Sequence, residues 1–137
     1  MTEMLLNGLR YLLTLLFGVA VSAAFLDVAP TRKNIVILSV FSALDFIVQC
    51  IMFLLQSDSA TYAYYPLVTH IPLVLLFTLA CKCRLVPSVL AVLTAYLCCQ
   101  ISNWISTIPK TFHCPDWSVD VTYIIILIVI FPLVWKY

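Results

Sequence analysis

Few side chains in this sequence can do chemistry, and most of them sit inside apolar runs. Asp45 and Gln49 stand one helical turn apart in the run from Ile35 to Leu55. An ionised carboxylate is costly in hydrocarbon, so Asp45 is protonated, paired or turned toward a wet cavity. Two readings stand for this intramembrane polar pair: a hydrogen bond to a Ser, Thr or Tyr of a neighbouring helix, or a ligand or proton site. A second candidate is His70, held between two prolines in YPLVTHIPLVLL, Tyr65 to Leu76. Pro66 suits a first helical turn, where its missing amide costs nothing. Pro72 lies further in and predicts a helix kink with a freed carbonyl. His70 is then either a packing histidine near the interface or a pocket wall that meets an external ligand or senses pH. The third candidate is a polar, aromatic stripe of Gln100, Asn103 and Trp104 at i, i+3 and i+4, with Ser102 and Ser106 nearby. Trp104, with Trp117 and Tyr123, also suits an interfacial aromatic belt. If His70 and the stripe face each other, they line one ligand-binding pocket.

Several kinds of chemistry are excluded. Gly8 and Gly18 are the only glycines, so no glycine loop can cradle a phosphate. The only histidines are His70 and His113, and no Ser/His/Asp arrangement has a usable context. The six cysteines (Cys50, Cys81, Cys83, Cys98, Cys99, Cys114) form no CxxC pair and no zinc spacing. Five of them read as small apolar residues packing between helices, while Cys114, in a polar loop, could be reactive. The sequence therefore implies no metal, no cofactor and no enzymatic activity for this chain. A net charge of +1 gives no footing for nucleic acid.

The elements that must position these residues follow from composition. The chain has 137 residues, 64% of them hydrophobic and 9% charged, and a mean hydropathy of +1.13. A soluble domain carries about 25% charged residues. So few charges cannot cover a globule in water, and the apolar surface requires a lipid bilayer as its partner. A bilayer-crossing helix needs about 20 apolar residues. The runs are continuous rather than alternating, which favours helices over barrel strands. The sequence predicts a single all-α domain, a polytopic bundle of five transmembrane helices over 5–26, 35–55, 65–81, 85–105 and 121–135, the third and fifth being short. VSAAF, Val21 to Phe25, resembles a cleavage site, but Glu3 and the length of the apolar run favour a retained first helix over a signal peptide. Arg32 and Lys33 in the first loop, and Lys82 and Arg84 in the third, place those loops in the cytoplasm. The N-terminus is then outside and Lys136 inside, with Arg10 awkwardly near the outer end of the first helix.

Three stretches together resemble a known family. YPLVTHIPLVLLF (Tyr65 to Phe77), LTAYLCCQISNWI (Leu93 to Ile105) and DWSVDVTYI (Asp116 to Ile124) are similar to the membrane-embedded sensor region of bacterial receptor histidine kinases. The nearest pattern is that of the GHKL ATPase type found in clostridia and related Firmicutes. The resemblance covers nearly the whole chain, and it is a pattern of membrane helices rather than a catalytic signature. It implies a multi-helix receptor in a bacterial cytoplasmic membrane, in a two-component system. Further helices, a dimerisation segment and an ATP-binding kinase domain follow in that family, and some distant relatives detect peptide pheromones. This sequence departs from the pattern by stopping after the fifth helix, without the phosphoacceptor segment or the ATP boxes. It looks like a sensor fragment, a truncated reading frame or a split receptor.

The functional expectation is therefore a signal-sensing module. An external small-molecule or peptide ligand would bind among His70, Gln100, Asn103, Trp104 and the loop over 106–120, and a cytoplasmic kinase domain or a second copy would be the partner. The rivals are a small transporter or channel subunit, with Asp45 and Gln49 on a polar path, and a protein that modulates a partner by helix packing.

Overall fold

The computed structural model describes residues 2–55, 64, 66–112, 115 and 117–135. Every regular element among them is helical, so the fold is all-α. Helix α1 spans Thr2–Phe25 and α2 spans Arg32–Leu55. A π-helical turn, Pro66–His70, leads directly into α3, Ile71–Leu79. Helix α4 covers Leu85–Ser106, the short α5 covers Ile108–Thr111, and α6 runs Trp117–Trp135. His113, Cys114 and Asp116 fall outside the described residues, as do Tyr65 and Lys136.

Helices α1, α4 and α6 pack against one another in pairs, while α2 leans on α1 and α3 on α4. Helix α1 is apolar on two sides, as a helix enclosed by neighbours must be. Phe17 and Val21, one turn apart, meet Ala95 and Cys99 of α4 and Tyr123 and Leu127 of α6. Leu15 and Val19 project into a second cluster with Leu73 and Phe77 of α3 and Val92 of α4. Phe41 and Phe46 of α2 close that cluster from outside.

Helix α2 is inverted relative to a helix in water. Ser42, Asp45 and Gln49 are buried, whereas Val36, Val40, Leu44, Ile47 and Ile51 are exposed along the opposite face. Apolar outside and polar inside is the arrangement that hydrocarbon selects. Three helical stretches, Leu6–Phe25, Arg32–Met52 and Leu85–Thr111, are long and apolar enough to cross a bilayer, and the chain is a membrane protein.

The five expected helices are all present, and three of them form the long apolar stretches. The π turn and α3 hold 5 and 9 residues. At about 1.5 Å per residue these described residues reach roughly 20 Å along the helix axis. The stretches Leu67–Leu79 and Trp117–Pro132 are apolar but shorter than the other three. Helix boundaries also moved outward at α2 and α6, because polar end residues belong to the helix without being hydrophobic. Thr31 Oγ1 accepts the Asn34 amide at 3.3 Å and starts α2 at Arg32. The Ser118 amide and hydroxyl both donate to the Pro115 carbonyl, at 2.9 and 2.6 Å, and start α6 at Trp117.

With only two glycines in the chain, other residues must reverse it at helix ends. Asp27 (φ 50°) follows α1 and Lys82 (φ 56°) follows α3, both left-handed. After each, an amide reaches back to an orphan carbonyl: Val28 to Ala23 at 3.0 Å, and Cys83 to Phe77 at 3.0 Å.

Candidate functional site

Pro72 lies inside a continuous helical run, just after the junction of the π turn with α3, and the irregularity falls in the turn before it. A proline ring clashes with the carbonyl four residues back, here that of Val68. Widening the preceding turn relieves that clash. The widened turn carries Thr69 and His70 into the bundle. The His70 ring meets the Tyr96 ring edge-on, with centroids 5.0 Å apart at 87°, and this joins the turn to α4.

Thr69 joins the same turn to α2. Asp45 Oδ2 accepts from Gln49 Nε2 at 2.7 Å and from the Thr69 hydroxyl at 3.1 Å, and Gln49 Nε2 also donates to Thr69 Oγ1 at 2.8 Å. All three residues are buried. Of the two readings for Asp45, this geometry is the inter-helix hydrogen bond. Gln49 Oε1 is buried and makes no hydrogen bond among the described residues.

A second polar cluster lies where α1 begins, α4 ends and α6 begins. Arg10 Nη1 donates to Asp120 Oδ1 at 2.6 Å and Nη2 donates to Asn103 Oδ1 at 2.7 Å. The guanidinium lies 4.4 Å from the Tyr123 ring centroid, a cation–π contact. The Thr14 hydroxyl donates to the Arg10 carbonyl at 2.7 Å. It has one proton to give, so in its 2.9 Å contact with the Tyr123 hydroxyl the tyrosine donates.

Between these clusters lies a cavity of about 180 Å³. Three of the four residues expected in one pocket, His70, Gln100 and Asn103, stand in its wall. Trp104 does not, and is 71% exposed. Successive helical residues differ by about 100° around the axis, and here that step carries Trp104 out of the cavity wall. The i, i+3, i+4 stripe is wider than the cavity, and Trp104 falls on its outward edge.

No family model, curated protein or solved structure matches the chain. The site is thus read from its own geometry.

Sequence reasoning missed the contribution of α1. Asn7, Arg10, Tyr11 and Thr14 all line the cavity. A signal was present: Arg10 is the one cation inside the first apolar run, and such a charge needs a partner. Asp120, near the start of the last helix, is that partner. At the opposite end of the bundle, in the turn after α3, burial pushes the Cys81 thiol up from its ordinary value. Nearby Cys83 adds to this and Lys33 works against it. Cys81 and Cys83 pack against the same cluster as Val28 and Leu38, so this turn lies beside the start of α2.

Proposed function

We propose that the chain is the membrane-embedded sensing module of a histidine kinase-like receptor, with the cavity as its ligand site. The observation that carries this reading is the convergence of His70, Gln100 and Asn103 on one cavity together with Arg10. Sites for small ligands are concave, largely apolar and furnished with a few convergent polar groups. Every principal helix except α2 supplies wall residues, so an occupant bears on the packing of α1, α3, α4 and α6 together. A ligand that favours one packing shifts its population, and the shift is what an attached cytoplasmic output would read.

The location fits a bacterial cytoplasmic membrane with the N-terminus outside. Lys33, Lys82 and Arg84 lie at the end away from the cavity mouth, the cytoplasmic end under the positive-inside rule. Arg10, which sits awkwardly near the outer end of α1, is paired with Asp120. The test is to join the chain to the dimerisation and ATP-binding domains of such a kinase and measure autophosphorylation. His70→Ala and Gln100→Ala should weaken the ligand response by tenfold or more while membrane insertion stays unchanged. An unchanged response in both variants overturns the sensor reading.

Transport is the second reading, and one contact favours it. Thr69 faces the cavity and also bonds Asp45, linking the cavity to an intramembrane carboxylate. That reading expects solute flux into liposomes that disappears in Asp45→Asn; the sensor reading expects no flux.

A further inference from the structure

We propose that the cavity takes a small, uncharged amphiphile. Its hydrogen-bonding head would sit at the mouth against the Asn7 and Gln100 amides, and its apolar body of about six carbons against Leu73, Val92 and Ala95. The proposal deepens, and rests on, the reading of this cavity as a ligand site.

The cavity changes character along its length. At the mouth stand Asn7, Arg10, His70, Gln100 and Asn103, all polar and partly exposed. Deeper in, Leu15, Val19, Leu73, Val92 and Ala95 are at most 6% exposed and wholly apolar. Six hydroxyls also reach the wall, and those of Thr14, Ser22 and Thr69 are each committed within the protein. Thr14 donates to the Arg10 carbonyl, Ser22 to the Gly18 carbonyl at 2.7 Å, and Thr69 to Asp45. The patch formed by Leu15, Val19, Leu73, Val92 and Ala95 offers no hydrogen bond, and a polar group buried against it would lose its bonds to water without replacement.

The mouth is the opposite. Among the described residues, the side-chain amides of Asn7 and Gln100 make no hydrogen bond, and the Asn103 amide nitrogen stays available after its oxygen accepts from Arg10. Each amide offers two donors, and those of Asn7 and Gln100 also offer an acceptor. Charge is balanced: Arg10 is held by Asp120, and both of its terminal nitrogens are engaged. A carboxylate ligand would meet a guanidinium whose charge Asp120 already balances, with the Asp120 carboxylate beside it. An ammonium ligand would meet that guanidinium directly. A neutral head that both donates and accepts faces neither like charge.

Size sets the body. A dry protein cavity of roughly 150 Å³ accepts a benzene ring. At about 180 Å³ this one accommodates a ring or a six-carbon chain with a small head, and it is too small to enclose a whole peptide.

The experiment uses the full chain in phosphatidylcholine/phosphatidylglycerol nanodiscs, with hexanamide, hexanoate and hexylamine as probes and saturation-transfer NMR as the readout. Hexanamide should give a saturable signal, with hexanoate and hexylamine at least tenfold weaker. Val92→Trp fills the apolar end and should abolish the saturable signal; Ala95→Leu serves the same purpose if Val92→Trp does not fold. Gln100→Leu should weaken binding tenfold or more. Hexanoate or hexylamine binding as tightly as hexanamide overturns the proposal. So does a hexanamide signal that never saturates and persists in the filled variants, which is simple partitioning into lipid. The binding assay contains no output domain, so the two ideas fail separately. Saturable hexanamide binding with no ligand response in the kinase fusion sinks the sensor reading alone. A His70-dependent response in the fusion without hexanamide binding sinks this inference alone.

Discussion

Arg10 and Asp120 stand 110 positions apart in sequence and meet at 2.6 Å, with side chains 22% and 16% exposed. The contact pins the start of α1 to the start of α6, and Asn103 adds the end of α4 to the same guanidinium. A half-buried ion pair is held by geometry and extra hydrogen bonds as well as by charge, because desolvation cancels part of the Coulomb attraction.

Removing one partner should therefore cost more than removing both. Asp120→Asn leaves the Arg10 charge without compensation and should destabilise the bundle by about 2–3 kcal/mol. The double variant Arg10→Leu, Asp120→Leu should recover much of that loss. Reversible unfolding in mixed micelles compares them directly, and an Asp120→Asn protein as stable as the parent would show that the pair contributes nothing.

The contact between α2 and the π turn is testable by a cycle. Gln49→Leu and Thr69→Val each remove one partner of the triad around Asp45. Hydrogen bonds between membrane helices are modest, so the coupling energy between the two changes should be about 0.5–1.5 kcal/mol. Strictly additive effects would mean that the two side chains do not depend on each other.

How much of this was legible in the sequence differs by feature. The helical class followed from continuous apolar runs, and the intramembrane pair from the i, i+4 spacing of Asp45 and Gln49, because both are local properties of one segment. The partner of Asp45 was legible only as a type, a hydroxyl on another helix; that it is Thr69 depends on a π turn that nothing but the flanking prolines announces. Arg10 looked like an error in orientation because its neutralising partner is on the last helix, and separation in sequence hides such pairs. Trp104 lies outside the cavity, because spacing gives a helical stripe but not the width of the space it meets. The end of α3 at Leu79 was hidden for a related reason: hydropathy runs through Ala80 and Cys81, while the backbone has already turned.

Gly18 offers a test of the cavity as empty space within the bundle. It lies in its wall, and a Cβ added there would meet nothing within 4 Å. Alanine is favoured over glycine in a helix interior by about 1 kcal/mol. Gly18→Ala should therefore raise stability by up to about 1 kcal/mol while narrowing the cavity by one methyl group. Thermal unfolding in nanodiscs measures the first effect, and destabilisation would mean that this space is already filled.

Pro72 sets the conformation that brings Thr69 and His70 to their partners. Without its ring, the carbonyl of Val68 is no longer obstructed and an amide returns to residue 72. Pro72→Ala should let the α-helix extend back through the segment Pro66–His70, exchanging the wide turn for regular i to i−4 bonding. Removing one residue's worth of widening rotates Thr69 and His70 by about 100° about the helix axis relative to α3. Thr69 would then leave Asp45, and His70 would leave Tyr96. Carbon-13 shifts at Leu67 to His70 report the helix type, and the Gln49/Thr69 coupling energy reports the lost contact; the expected result is α-helical shifts with a coupling near zero. Shifts that stay those of the parent, with the coupling intact, would show that Pro72 is a passenger and that packing against α2 and α4 holds the π turn by itself.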